Sequence, residues 1–203
     1  MPERLLRFPV WPGNLYRLLR RHHLSGRHGE HGVRYRRRYL FAGIRQTTAA
    51  LTARVNAIFT PRISLELYVE PFLSSGRYEN PKELSAPRTF DFLEYGADLG
   101  TMTRTAAGGY RIDPDGAGPA QPFELASRDF NFRSLQGNVV FRWEWRPGST
   151  LFLVWQQSRA ARVIAEGAES RLGSFDFTRD ADALFRIRPD NIFMVKMNYW
   201  LNP

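Results

Sequence analysis

The sequence predicts an all-β chain: an antiparallel meander of about five long strands that forms the C-terminal segment of a larger transmembrane β-barrel. Three observations predict it. Apolar residues recur with period two along much of the chain after residue 48; two turns between such runs are very short while two connections are long; and large aromatics gather beside the short turns and the last strand.

In residues 48–60 the odd positions are Ala49, Leu51, Ala53, Val55, Ala57 and Phe59, and the even ones include Thr48, Thr52, Arg54, Asn56 and Thr60. One face of such a strand is apolar and the other polar. After the turn at Pro61, Ile63, Leu65, Leu67 and Val69 alternate with Ser64, Glu66, Tyr68 and Glu70. A second hairpin sets Leu135, Val139, Phe141, Trp143 and Trp145 against Gln136, Asn138, Arg142, Glu144 and Arg146, and turns at Pro147-Gly148-Ser149. The return run, with Leu151, Leu153 and Trp155 against Phe152, Val154, Gln156 and Ser158, alternates more weakly. The fifth run, 191–202, sets Phe193, Val195, Met197, Tyr199 and Leu201 against Ile192, Met194, Lys196, Asn198 and Trp200. The long connections, about 74–133 and 159–190, contain weaker β-like pieces at 88–95 and 103–112 and a short helix near 180–186 stopped by Pro189.

Short turns at one rim and long loops at the other are the layout of a transmembrane barrel. Phe59, Trp143, Trp145, Tyr199 and Trp200 then share the short-turn rim and form an aromatic girdle at a membrane interface. The plainer alternative makes them core aromatics of a soluble sandwich, which would need a partner sheet that five strands hardly supply. On the polar face Arg54, Glu66, Glu70, Arg142, Glu144 and Lys196 would point into a lumen, where ordinary solvation and cross-strand pairing account for them as well as a solute path does. The last strand carries Phe193, Val195, Met197, Tyr199, Trp200 and Leu201, the apolar alternation with terminal aromatics that barrel-assembly machinery would recognise through edge pairing.

Composition narrows the classes. The 203 residues suit one domain, and no apolar run reaches the roughly 18 residues of a spanning helix, so membrane crossing would be by strands. Without cysteine there are no disulfides or thiolate sites. The net charge of +9 is concentrated: residues 1–38 hold ten arginines against Glu3 and Glu30, leaving 19 basic and 18 acidic groups in residues 39–203. The chain therefore divides into a basic, low-complexity arm, 1–38, expected to be disordered or a misassigned start, and a barrel segment, 39–203. The arm's arginines, with Tyr16, Tyr35 and Tyr39 among them, would suit an anionic polymer such as nucleic acid, the alternative function; nucleic acid is the less favoured partner. His22, His23, His28 and His31 also sit there, but among glycines that give a metal no scaffold. Leu5, Leu6 and Phe8 are interrupted by Arg7, Pro9 and Pro12, so no secretory signal peptide is read.

No metalloprotease, nucleophile-elbow, phosphate-loop or dinucleotide motif occurs, and residues 39–203 lack histidine. Asp113-Pro114-Asp115-Gly116 reads as a turn, lacking the downstream bidentate glutamate of a calcium loop. Asp91, Glu94 and Asp98 show no acid and base spacing for glycoside hydrolysis. Neither cofactor nor metal is called for, and the chain reads as non-catalytic.

The runs QTTAALTARVNAIFTPRISLELYVEPFLSSGRY, PRTFDF, DFNFRSLQGNVVFRWEWRPGSTLFLVWQQSR and NIFMVKMNYWLN resemble the C-terminal barrel of the domain of unknown function 5916 family. Those are Gram-negative envelope proteins in which a domain similar to carbohydrate-binding family nine precedes a large barrel. The resemblance covers roughly 46–202 and fails before Tyr39, with Ile44-Arg45 already departing from it. It implies a parent protein in the bacterial outer membrane. Its partners would be outer-membrane lipid, the assembly machinery, an N-terminal part missing here, and a glycan bound by that part. Some members are labelled hydrolases, but no catalytic motif carries over to positions here.

Overall fold

The computed structural model describes residues 14–18, 33–34, 37–86, 88–164 and 171–201. Its first strands are β1 (Asn14–Leu18), β2 (Val33–Arg34), β3 (Arg37–Arg38), β4 (Leu40–Ala50), β5 (Ala53–Thr60) and β6 (Ile63–Leu84). Then come the short strands β7 (Phe92–Glu94), β8 (Thr101–Arg104), β9 (Tyr110–Asp113) and β10 (Phe123–Leu125). The long strands β11 (Phe130–Arg146) and β12 (Ser149–Val163), helix α1 (Phe177–Arg186) and β13 (Asp190–Asn198) complete the order.

The fold is all-β. The main sheet runs β1-β4-β6-β11-β12-β13, with β5 and β7 also paired to β6, and its order among the described residues does not return on itself. Two small sheets, β10-β9-β8 and β2-β3, accompany it. Every register resolved residue by residue is antiparallel.

Each of the five expected runs contains strand, but the boundaries move and the first run is divided between two strands. β4 starts at Leu40, well before the apolar alternation begins, and pairs through its first residues with β1, from Asn14 opposite Ile44 to Leu18 opposite Leu40. β1, β2 and β3 lie within the basic arm, whereas its four histidines and Tyr35 fall outside the described residues. The run 48–60 is broken after Ala50. Leu51 donates its amide to the carbonyl of Pro71 at 3.1 Å, but proline has no N–H to return the bond, so the ladder lapses for two residues. It resumes as β5, with Ala53 opposite Val69 and Ala57 opposite Leu65.

The 22 residues of β6 span about 70 Å at ~3.3 Å each, far beyond what a bilayer crossing needs. Its second half escapes period-two reading because Ser74, Ser75 and Gly76 are small or polar yet buried. The first long connection therefore shrinks to 85–129, which carries β7 to β10, and the second to 164–189, which carries α1. The terminal strand ends at Asn198 instead of reaching 202.

By contacts the chain forms two compact units. The first comprises Met1–Thr47, Ser75–Phe130 and Val163–Ser174; the second comprises Thr48–Ser74, Asn131–Arg162 and Phe175–Pro203. The core of the first is Leu40, Tyr95, Ile112 and Leu125, with Tyr110 and Phe123 packed on it. The core of the second is Leu73, Leu135 and Leu184, flanked by Ala49, Val69, Phe175 and Ile187.

Helix α1 forms where the sequence expects it, three residues earlier. Asp176 caps it by accepting from the Arg179 amide at 3.0 Å, Asp180 lies in the first turn and Arg186 in the last, each sign suiting the helix dipole. Ile187 is already extended and Pro189 follows, so the helix stops.

Candidate functional site

Apolar side chains are distributed unequally. Nine hydrophobic residues are buried among the described residues, whereas twenty large ones are exposed, and eighteen of those twenty belong to the second unit. Burial in a small core thus does not account for most of the second unit's apolar surface, and exposed apolar patches of this kind mark an interaction surface.

Backbone pairing shows how that surface is arranged. In β5 and β6, Val55 stands opposite Leu67 and Ala57 opposite Leu65, so the odd-numbered residues share one face. In β12 and β13, Leu151 faces Met197, Leu153 faces Val195 and Trp155 faces Phe193. The Trp155 and Phe193 rings stack within 5° of parallel, their centroids 6.2 Å apart. Every residue of β13 is exposed, and in the sheet order β13 is an end strand, bonded to β12 on one side. The residues read as an assembly signal, Phe193, Val195, Met197, Tyr199, Trp200 and Leu201, are between 54% and 76% exposed, but Tyr199, Trp200 and Leu201 lie past the strand's end. Trp200 is anchored there: its amide donates to Ser149 Oγ at 3.0 Å, and its indole covers Gly148, whose φ of +78° requires glycine.

The aromatics expected at the short-turn rim are linked by contacts within the second unit. The Glu144 amide donates to the carbonyl of Arg62, in the turn that follows Phe59, at 2.8 Å; Glu144 Oε1 accepts from the Gly148 amide at 3.1 Å; and Trp200 lies over Gly148. Trp143 and Trp145 flank Glu144 and meet edge to face at 6.4 Å. Phe59, 63% exposed, falls in a register shift between Ile58 and Thr60, and Ile58 beside it is also exposed.

The polar residues fall into separate groups. Arg54 lies opposite Tyr68 with its guanidinium 5.1 Å from the ring centre, Asn56 faces Glu66, and Tyr68 donates to Glu70. Arg142 pairs with Glu144 at 3.1 Å. Lys196 instead stands opposite Phe152, and its β13 neighbours on that face are Ile192 and Met194, so this face of β12–β13 mixes apolar residues with Lys196, Asn198, Gln156 and Ser158.

Two buried ionic clusters escaped the sequence reading. In the first unit Glu83, fully buried, accepts from Arg38 at 2.8 Å and from the Tyr95 hydroxyl at 2.6 Å. Burial pushes the Tyr95 phenol well above its ordinary value, and the Glu83 charge adds to this. Burial works against the Arg38 charge, but Glu83 and Tyr95 together hold its pKa above the usual arginine value. In the second unit Asp180 accepts from Arg133 Nη2 at 2.8 Å, from Arg179 Nη2 at 3.0 Å and from the Asp176 amide at 3.0 Å. The carboxylate at the centre of each cluster is closed from solvent, and the clusters act as locks. Arg38 was hidden among the arm's other arginines, and Glu83 sits in a stretch with no strand period.

The remaining acidic candidates serve their own loops. Asp98 accepts from the Glu94 amide at 3.0 Å, Asp113 from the Gly116 amide at 3.1 Å and Asp115 from the Ala120 amide at 2.8 Å. No helix among the described residues is long and apolar enough to cross a membrane, which leaves crossing by strands open. No protein-family model, no curated protein and no solved structure matches this chain.

Proposed function

We propose that this chain supplies consecutive strands to an outer-membrane β-barrel and serves, without catalysis, as the anchoring or pore-forming part of an envelope protein similar to the domain of unknown function 5916 family. The observation that carries the reading is the exposed apolar face of the second unit, laid out in register across β5–β6 and β12–β13 and ending, among the described residues, in the edge strand β13. In lipid that face is solvated by hydrocarbon; in water it stays uncovered at about 25 cal/mol per Å².

An edge in lipid leaves backbone donors and acceptors unpaired, and the smallest bacterial barrels use about eight strands, so further strands or an assembly partner would complete the wall. Outer-membrane lipid and barrel-assembly machinery are the partners this requires, and a glycan would be the business of the parent protein's other domain. The alternative, a soluble module with an anion-binding arm, turns on residues 1–38, and most of their arginines lie outside the described residues.

The test is to refold the full chain in plain buffer and in phospholipid vesicles. Membrane-spanning strands should aggregate in buffer and gain exchange-protected β-structure in vesicles. A monodisperse monomer in detergent-free buffer, retained on heparin through residues 1–38, would overturn the proposal in favour of the soluble module.

A further inference from the structure

In the second unit the sheet runs β5-β6-β11-β12-β13, and among the described residues its outer strands are bonded on one side alone, β5 to β6 and β13 to β12. Both edges are therefore open. They match in length, eight residues of β5 against nine of β13. They also run the same way. β5 is antiparallel to β6, and β12 to β13. The carbonyl of Arg62 accepts from the Glu144 amide while that of Tyr68 lies beside Gly137, so β11 descends as β6 rises, and the turn at Pro147-Gly148 reverses β11 into β12. Four reversals return β13 to the direction of β5. Both strands run into the short-turn rim, one ending at Thr60 and the other at Asn198, opposite Thr150.

The side chains set these two strands apart from the three between them. The large hydrophobics left exposed on β6, β11 and β12 are Leu67, Trp143, Leu153 and Trp155, all at odd positions. On the edge strands they are exposed at odd and even positions alike, Val55 and Ile58 on β5, and Ile192 and Met194 beside Phe193 and Val195 on β13. Alternate positions face opposite sides of a sheet, so each edge strand is apolar on both sides and lacks the neighbour that would cover the flanks of those side chains.

Lipid leaves no water for open backbone groups, so each edge needs a strand. One chain cannot supply it to itself, since five strands are fewer than the roughly eight of the smallest bacterial barrels, whereas two copies supply ten. We propose that β13 of one copy pairs in parallel with β5 of a second copy, and that the same contact, made twice, closes a two-chain wall. A parallel seam keeps the short turns of both copies at one rim. Pairing β13 with β13 about a two-fold would turn either one copy or its two faces the wrong way round in the membrane. This rests on the barrel reading and extends it by naming a second copy of this chain as the completing partner.

The chain has no cysteine, so introduced ones report alone. Chains carrying Asn56→Cys are refolded into phosphatidylcholine vesicles together with chains carrying one of Ile192→Cys, Phe193→Cys, Met194→Cys or Val195→Cys, and then oxidised. A disulfide between the two variants joins separate copies by construction. The expected yield of that product alternates along β13 with period two, about tenfold between neighbouring positions, because a one-residue slip turns a side chain to the other face. The unchanged chain, extracted in mild detergent, should have the mass of two chains by light scattering. Suppose the chain gains exchange-protected β-structure in vesicles but no pair joins, or Met194→Cys joins to itself more than to Asn56→Cys, or the extracted mass is that of one chain. Each of these refutes the second copy and leaves the barrel reading standing. Equal yields at all four positions would show collision without strand pairing and refute the seam as well. If vesicles give no protected β-structure, the barrel reading itself fails and takes the seam with it.

Discussion

Replacing Asp180 by alanine should release α1 from the sheet while leaving the strands paired. Asp180 is 2% exposed and Arg133 about as deeply buried, so the variant strands a guanidinium that has lost its carboxylate. Breaking a buried pair from one side costs about 3–5 kcal/mol. What opposes release is mainly the burial of Leu184, worth about 1.5–3 kcal/mol, so the lost pair outweighs it. Amide hydrogen exchange across 177–186, on the full chain in lipid, should then accelerate at least about a hundredfold, since each 1.36 kcal/mol is a factor of ten. The amides of β5 and β6 should keep their protection. Two controls isolate the cause. Asp182→Ala removes a pair whose partners are 81% and 72% exposed, so screening should leave it nearly silent. Arg133→Met combined with Asp180→Leu removes both charges and should restore most of the protection. Unchanged exchange of α1 in Asp180→Ala, or an equal loss in Asp182→Ala, would refute the reasoning.

Three further outcomes are expected. Changing Val195 and Tyr199 together to serine should abolish recovery of the parent protein in the outer-membrane fraction, whereas the same change at Lys196 and Asn198 should be mild; equal recovery of the two would remove the recognition role of the last strand. Tyr95→Phe should cost about 1.5–3 kcal/mol by leaving Glu83 without its hydroxyl donor, measured as a lower urea midpoint. The Tyr95 pKa is raised in the folded chain, so its contribution is complete below the free phenol's 10.0 and lost as pH rises beyond it; the unchanged chain should lose stability there, and Tyr95→Phe should lose less. Pro71→Val returns a donor opposite Leu51, so a new slowly exchanging amide should appear at 71, and fast exchange there would show that the break in the ladder has another cause.

The strands that were legible in the sequence are those whose two faces differ. Residues 53–60 and 63–69 alternate because one side of each is largely polar while the other is apolar, and in 191–198 the odd positions after Asn191 are apolar throughout; that period is set by the backbone itself. Pro61 and Pro147-Gly148 marked the turns for equally local reasons, since proline fixes φ and Gly148 adopts φ +78°. The stop of α1 was likewise written in Pro189, whereas its start, capped by Asp176, came three residues before the expected one.

What the tertiary structure decided is everything that depends on a distant partner. Leu40 to Ile44 and Ser74 to Glu79 have no clean period because neighbours at least partly cover both of their faces, so alternation carries no information there. Glu83 with Arg38 and Tyr95, and Asp180 with Arg133, join residues 12 to 47 positions apart, and a charged side chain in a polar stretch looks the same in sequence whether it ends in water or in a buried pair. The sequence by itself determined an all-β chain with apolar alternate positions, because side-chain direction along a strand follows from local covalent geometry. Which of those positions found cover and which remained exposed, as on β13, only the pairing order of the strands decided, because burial is a property of what arrives from elsewhere in the chain.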